Sequence, residues 1–512
     1  MFVRVSTRDG RYFELSDGRA YVPIGLNMVQ PAEGGMDDMR RWLGKLAANR
    51  GNYCRIWLSS RFFDVEHARS GEYDADRAKR IDELLALAGK HGIRLKLCLE
   101  HFRRLTGGRR PWITKPLHHV SQGGPAKDMA EFLDSPRCRK QFKRKLAWYA
   151  ERCGSDPTVF GWELWNEMNC VHGGDWMKWT PVMLAELHRL FPKNLAMQSL
   201  GSFDHARKRT FYRTVCLMKG NDVAQVHRYL DLGASLKVCH GPVDVLAADA
   251  VRELRAFDCN RPILLAESGA VEKGHSGPFK LYQKDTHGII LHDVLFAPFF
   301  AGAAGCGQIW HWGVYVDRMK LWHHFDRFAE AIDGLDPPAE RFEPVEIPHD
   351  RLRVLALAGK STFLAWCRDS ANTWTAELAE GKAPRRIRGA AIDLAGHADL
   401  LAGASASLYD PWADRWSKAK VQGKRIVLPE FSRSIVVRIE RPQPNAQCSM
   451  LNDECRIPNL PAGRQVSNGA KEAPRGQRVW PGGASPRKAG NQVTSPNGAE
   501  GTPKDTCVSV ND

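Results

Sequence analysis

Gly161-Trp162-Glu163-Leu164-Trp165-Asn166-Glu167-Met168-Asn169 is the stretch on which the fold turns. It begins apolar and aromatic and ends in an amide beside a carboxylate. A run of this kind reads as a strand buried on both faces, as in a parallel sheet. In barrels built from such strands, reactive groups sit where the strands end. A second stretch answers it, Arg261-Pro262-Ile263-Leu264-Leu265-Ala266-Glu267-Ser268-Gly269, again an apolar run that ends in a glutamate. The spacing of 100 residues between Glu167 and Glu267 leaves room for about three βα units of roughly 30 residues each.

Outward from these stretches the pattern alternates. Strands are expected at Val22–Met28, Asn52–Ser59, Ile93–His101, Leu195–Leu200, Val223–Tyr229 and Cys306–Trp312, in addition to the two quoted. Helices are expected at Met36–Asn49, Asp74–His91, Asp128–Cys153, Trp176–Phe191, His205–Met218, Ala248–Phe257, His287–Ala301 and Phe325–Ile332. Eight strands and eight helices in strict order predict an α/β fold, a (β/α)8 TIM barrel. Turn signals at Asp9-Gly10 and Asp17-Gly18 place a hairpin within residues 3–24, as a plug ahead of the first strand. The polar stretch Phe102–Lys127 is too long for a plain connector and reads as a binding loop.

Past Asp336-Pro337-Pro338 the period changes. Short β-rich runs at Leu352–Leu357, Thr362–Cys367, Thr373–Leu378, Ala391–Leu394, Ser405–Tyr409, Arg425–Leu428 and Ser434–Ile439 predict a small antiparallel β-sandwich. Beyond Arg441 the chain turns to Pro, Gly, Asn, Ser, Arg and Lys, a composition that buries too little apolar surface to fold. The expected division is a barrel with its hairpin over 1–340, a sandwich over 341–441 and a disordered tail over 442–512.

Composition excludes little but ranks the alternatives. The net charge of +16 is spread through helices such as Arg137–Lys145 without any nucleic-acid motif, so a solvated basic surface is favoured over a nucleic-acid partner. The 13 cysteines are irregularly spaced, with Cys54, Cys98 and Cys306 inside apolar runs. That pattern reads as small buried hydrophobes in a reducing compartment, not as a zinc site or a disulfide framework. Met1-Phe2-Val3-Arg4-Val5-Ser6 lacks the apolar core of a signal peptide, and no apolar run reaches membrane-spanning length. The expectation is a cytoplasmic monomer with no nucleic-acid or membrane partner, secretion staying open if the start lies elsewhere.

Two carboxylates facing each other across a barrel mouth are what glycoside hydrolysis requires. With its motifs at successive strand ends, the chain resembles the clan A retaining glycoside hydrolases, in the style of the family 5 cellulases and mannanases. The resemblance covers roughly residues 15–335. It implies Glu167 as general acid/base and Glu267 as nucleophile. It further implies Asn166 as the amide on the sugar 2-hydroxyl and Arg55 as the cation that keeps the nucleophile ionised. His101 resembles the strand-three histidine, and His227 and Tyr229 the strand-six pair, with the Tyr hydroxyl on the nucleophile. Trp310 resembles the platform beneath the sugar. Trp312 has the same parity, so both stay candidates. The activity implied is double displacement on β-linked oligo- or polysaccharides, β-1,4 gluco- or manno-configured, with no metal or organic cofactor.

The bland readings stand beside these. A strand-end glutamate also serves as a helix cap, and only the two motifs together with Arg55, His227, Tyr229 and Trp310 make a site. Glu163, four residues before Glu167 and so on the same side of the strand but deeper, reads as structural. Trp162 and Trp165 are expected to help desolvate Glu167. His118-His119 and His323-His324 read as loop polarity, because neighbouring side chains of an extended chain diverge. Trp112, Trp176, Trp179 and Trp322 are equally sugar subsites or packing. The rival function is a non-catalytic carbohydrate-binding barrel, which loss of either glutamate would mark; both are present.

Overall fold

The computed structural model describes residues 1–101, 116–171 and 173–441. The expected disordered tail, and the part of the long loop that contains Trp112, lie outside the described residues. Residues 1–441 belong to one compact unit.

The chain opens with three short antiparallel strands, β1 (Val3–Val5), β2 (Phe13–Leu15) and β3 (Ala20–Tyr21). Phe13 and Tyr21 from this plug pack on Phe160, which also meets Tyr53. A parallel five-stranded sheet follows in sequence order: β4 (Gly25–Asn27), β5 (Tyr53–Trp57), β6 (Arg94–His101), β7 (Val159–Asn166) and β8 (Leu195–Met197). β9 (Ala224–His227) and β10 (Ile263–Glu267) form a second parallel pair. Every residue of β5, β7, β9 and β10 is buried, as expected of strands covered on both faces. Helices Met36–Ala48, Ala75–Lys90, Trp176–Leu190, Arg209–Leu217, Val243–Arg255, Ile289–Phe300 and His323–Ala331 fall between or after these strands.

Three expectations need correction. Asp128–Cys153 is two helices, Met129–Asp134 and Pro136–Cys153. The Ser135 side chain accepts from the Cys138 amide, and Pro136 takes a first-turn position where its missing N–H costs nothing, so Ser135-Pro136 ends one helix and starts the next. Cys306–Trp312 is not a continuous strand. Ile309 forms only an isolated parallel bridge to Ser268, and Trp312 opens a π-helical turn. The segment still bonds to both neighbours: Ser268 N–H donates to Gln308 O at 3.0 Å, Gln308 N–H to Leu265 O at 2.9 Å, and Asn27 N–H to Ile309 O at 3.0 Å. Gly307 is required there, since a Cβ would lie 2.2 Å from Val294 O. Thr373–Leu378 is not a strand either, but runs into a π-helical turn at Thr375–Ala379, because the Thr373 hydroxyl accepts from the Ala376 amide at 3.1 Å and starts a helical segment.

The C-terminal region is mostly strand. Its main sheet is antiparallel, in the order Glu343–Glu346, Leu352–Ala358, Thr362–Asp369, Ser434–Glu440, Ser405–Asp410, Arg415–Lys418. The strand period of two divides its central strand. Phe363, Ala365 and Cys367 join a core with Ile392, Ile426 and Phe431, whereas Leu364 and Trp366 join the large core of the parallel sheet and its helices. Arg368 continues the second face and ion-pairs Asp293 of helix Ile289–Phe300 at 2.8 Å, both side chains nearly inaccessible. Trp374 Nε1 donates to Gly241 O at 2.9 Å, and Trp416 Nε1 to Glu330 at 2.8 Å. Asp293→Ala would strand a guanidinium that cannot shed its charge, so a loss of about 3–5 kcal/mol is expected. Thermal unfolding checks this, and an unchanged Tm would mean the pair does not hold the sheet to the helices.

Nine cysteines among the described residues are free thiols, eight of them buried, and Cys170 is disulfide-bonded. The thiols fit the expected role as small hydrophobes; the single bond is one the sequence did not announce.

Candidate active site

The site assembles at the C-terminal ends of β5, β6, β7, β9 and β10. Beneath it lies a polar layer inside the sheet. Arg55 on β5 donates twice to Glu163, from Nε to Oε2 and from Nη2 to Oε1, each at 2.8 Å. Lys96 on β6 approaches Glu163 at 3.3 Å and also donates to Gln225 on β9. Arg55, Lys96 and Glu163 have no accessible side-chain surface. Burial lowers Lys96 to about 8, against the pull of Glu163. Glu163 stays below its ordinary value: burial pushes it up, but Arg55 and Lys96 together outweigh that. Glu163 therefore anchors Arg55 from below, the structural part read for it in the sequence.

From that anchor Arg55 reaches upward. Nη1 bonds to Glu267 Oε1 and Nη2 donates to Asn166 Oδ1 at 2.6 Å. Asn27, not noticed in the sequence, accepts from Arg55 at 3.3 Å and donates to the Ala266 carbonyl at 3.1 Å. Because the Asn166 carbonyl faces Arg55, its amide N–H groups are turned away from that cation. One cation thus sets both the nucleophile candidate and the amide beside the other glutamate.

Glu267 ends β10 just past a register irregularity after Leu265. Its other oxygen accepts from the Tyr229 hydroxyl at 2.9 Å. Glu167 follows the last residue of β7 in the left-handed region, φ 52° and ψ 53°, an uncommon conformation for a residue with a side chain. The Ser199 hydroxyl accepts the Glu167 amide at 3.1 Å, the Ser199 carbonyl accepts the Met168 amide at 3.1 Å, and Asn169 Oδ1 accepts the Gly201 amide at 2.6 Å. These bonds fix the turn that aims Glu167 at its partner.

His227 links the pair. Its Nδ1 lies 2.9 Å from Glu167 Oε1 and 3.3 Å from Glu267 Oε2. One ligating atom from each of the three residues lies within 4.8 Å of the others. An oxygen of Glu167 therefore lies within 4.8 Å of an oxygen of Glu267, a spacing compatible with the roughly 5–5.5 Å between the carboxyl groups of retaining enzymes. Burial, with Arg55 and Lys96 nearby, keeps His227 well below its ordinary pKa and so neutral. Glu167 is raised well above the carboxylate range, first by burial and then by the charge of Glu267. Glu267 is also raised by burial, but Arg55 and Tyr229 pull it back. Arg55 pulls Glu267 down as expected, but burial outweighs that pull and leaves the group raised. What survives is the difference, with the proton held on Glu167.

The aromatic candidates separate. Trp310 packs on Trp57 at 5.1 Å, and Trp57 stacks on His101 at 4.5 Å. Ser59 Oγ bonds His101 Nδ1 at 2.6 Å. Trp57, missed in the sequence although it lies two residues past Arg55, also sits 5.8 Å from the Arg55 guanidinium. Trp312 meets both sides, edge-on to Trp310 at 5.8 Å and to Trp42 at 6.3 Å. Trp162 packs on Tyr149 and Phe191, and Trp165 on Phe132 and Trp179. Their ring contacts are with aromatic residues of the surrounding helices and the loop after them. Trp176, Trp179 and Trp322 are buried packing residues.

Among the described residues two clusters have the composition to hold a cation: Glu167, His227 and Glu267, and a second set, Glu66, Glu100 and His118. In the second the Lys145 ammonium already lies 2.6 Å from Glu100 and 3.1 Å from Glu66. His118 is thus buried, not loop polarity, while His119 is partly exposed and accepts from the Ser121 amide. His324 is likewise buried, bonded to the His287 carbonyl at the start of a helix.

No family model matches the chain. Mannan endo-1,4-beta-mannosidase 2 of Arabidopsis thaliana is 26% identical over 213 residues, 38% of this chain and 48% of that protein. Mannan endo-1,4-beta-mannosidase 5 of the same plant is 24% identical over 355 residues, 62% of this chain and 80% of that protein. A solved glycoside hydrolase family 5 structure from Bacteroides vulgatus matches with a TM-score of 0.51 at 13% identity, covering 86% of this chain and 92% of that one. The chain is glycoside hydrolase family 5-like. The match spans about half the length of the first relative and four-fifths of the second. The structural likeness carries the fold of this family 5-like chain, a (β/α)8 architecture.

Proposed function

We propose that the chain is a retaining β-glycoside hydrolase that cleaves manno-configured, β-1,4-linked chains by double displacement. The observation that carries this reading is the closely spaced Glu167–His227–Glu267 group with Arg55 bonded to Glu267 and not to Glu167. Manno configuration rests on the relatives, which are named mannan endo-1,4-beta-mannosidases.

In the first step Glu267 attacks the anomeric carbon, and Glu167 gives its proton to the departing glycosidic oxygen. Asn166, its carbonyl held by Arg55, offers an N–H to the 2-hydroxyl. The ester that forms removes the charge of Glu267, which is one of the two leading causes of the high Glu167 pKa. Glu167, now deprotonated and of lower pKa, accepts a proton from water as that water attacks the ester carbon. Glu267 leaves as carboxylate, and the product keeps the β configuration. Trp310, Trp57 and His101 form the wall on which a sugar ring stacks.

The architecture proposed for this chemistry is a barrel closed by residues 306–312 between β10 and β4, over 1–340. A β-sandwich over 341–441 packs on its helices. The hydrogen bonds of Gln308 and Ile309 to both neighbours support closure, and the two-sided core of the main antiparallel sheet supports the sandwich.

Activity requires Glu267 ionised and Glu167 protonated, so the pH profile is a bell with Glu267 on the acid limb. Arg55→Met removes the cation that pulls Glu267 down, so the acid limb of kcat/KM should move upward by about 1–3 pH units; an unmoved limb would remove Arg55 from its role. The reading itself is tested by hydrolysis of β-mannan, β-glucan and aryl β-glycosides, with the anomer of the first product followed by NMR. Release of β-configured manno-oligosaccharides is expected. Inactivity on every β-glycan would favour the carbohydrate-binding alternative.

A further inference from the structure

Beneath the site one guanidinium serves two carboxylates. Arg55 bonds Glu163 through Nε and Nη2 and Glu267 through Nη1, and all three side chains are buried. Two anions against one cation would leave a charge uncompensated, which costs far more inside a protein than at its surface. Lys96 is the other cation. It comes from β6, its side chain has no accessible surface, and its Nζ lies 3.3 Å from Glu163 Oε2. The same ammonium donates to Gln225 Oε1 on β9. Gln225 stands two residues before His227, the ring between the two glutamates. Lys96 thus ties the strands that carry Glu163 and His227.

We propose that Lys96 is a positioning residue for the nucleophile: by balancing part of the Glu163 charge, it leaves Arg55 free to hold Glu267 as a carboxylate. The inference rests on the reading of Glu267 as the nucleophile.

A count of charges supports it. The titratable groups that face Lys96 and Glu267 from the surrounding strands and their ends are Arg55, Cys98, Glu163, Glu167, His227 and Tyr229. Burial keeps Cys98 a thiol and Tyr229 a phenol. His227 is neutral, and Glu167 carries its proton. What remains is Arg55 and Lys96 against Glu163 and Glu267, two charges of each sign. Burial lowers Lys96 to about 8, so it is still a cation over the acid range in which carboxylates titrate. Without Lys96, Glu163 keeps its two bonds from Arg55 and stays ionised. The group then gains one net negative charge, and a carboxylate facing more negative charge gives up its proton at higher pH.

The pH dependence of kcat/KM on an aryl β-mannoside tests this, compared among the parent, Lys96→Met and Lys96→Arg. In Lys96→Met the acid limb should rise by about 0.5–1 pH unit, a fraction of the shift expected of Arg55→Met, because Lys96 acts from behind Glu163. Lys96→Arg keeps the charge and should leave the limb where the parent has it. A lysine that only packs the barrel would lower Tm in Lys96→Met and leave the limb in place. That result would overturn the proposal, as would Lys96→Arg moving the limb as far as Lys96→Met. If Lys96→Met does not fold, Lys96→Gln, neutral but still polar toward Gln225, is read by the same limb. A parent inactive on every β-glycan brings down the reading of the nucleophile and this inference with it. An active parent whose limb stays put in the neutral variant brings down this inference alone.

Discussion

Glu267→Ala is expected to abolish hydrolysis of every substrate, activated or not. No covalent intermediate forms without the nucleophile, and no second carboxylate is poised to replace it: Glu163, the nearest alternative in sequence, is locked beneath the site by Arg55 and Lys96. The space left by the carboxylate lies below the anomeric carbon, so azide or formate should enter it and restore turnover with an inverted product. Rate measurements with and without azide, and NMR of the product, check this. Residual activity within about tenfold of the parent, beyond what general acid catalysis alone supplies, would place the nucleophile elsewhere.

Glu167→Ala should lose about 10²–10⁴-fold on substrates with poor leaving groups and behave differently on good ones. A dinitrophenolate leaves without protonation, so formation of the intermediate survives while its breakdown slows for want of a base. A burst of phenolate followed by a slow steady state is the expected trace. Azide should speed that steady state and yield a retained β-glycosyl azide. The alkaline limb of the parent's pH profile belongs to the proton on Glu167, whose pKa is raised by burial and by Glu267. That limb should vanish from the first step of the variant. A reversed pattern between the two variants would exchange the roles of the two glutamates.

Much of this was legible in the sequence because buried parallel strands advertise themselves as apolar runs, and the reactive residues sit just beyond them. β7 and β10 announced Glu167 and Glu267; Arg55, His227 and Tyr229 stand at the ends of equally apolar runs, and all five residues come together. What a strand pattern does not carry is side-chain reach across the sheet. The Arg55–Glu163–Lys96–Gln225 layer joins four strands, and nothing local in Lys96 or Gln225 signals it. Trp57 was given no role, although its neighbours are His101, Trp310 and Arg55. The division at Ser135-Pro136 was readable from the capping serine and the first-turn proline. The irregularity of 306–312 was not, because it depends on tertiary packing: Gly307 lies so close to helix Ile289–Phe300 that a Cβ would sit 2.2 Å from the Val294 carbonyl oxygen. The balance at Glu267 was only half legible for a similar reason: charge pairing with Arg55 is visible in a motif, whereas complete burial is visible only in the fold.

The central claim is that Glu267 forms a glycosyl ester within a retaining pair. Incubation with an activated 2-deoxy-2-fluoro-β-mannoside, followed by mass spectrometry of the intact protein and its peptides, tests it most directly. The account predicts a mass increase of one fluoromannosyl unit, carried by the peptide that contains Glu267, with activity lost in step with labelling. A label on another residue, or substrate turnover through an α-configured first product with no label formed, would contradict it.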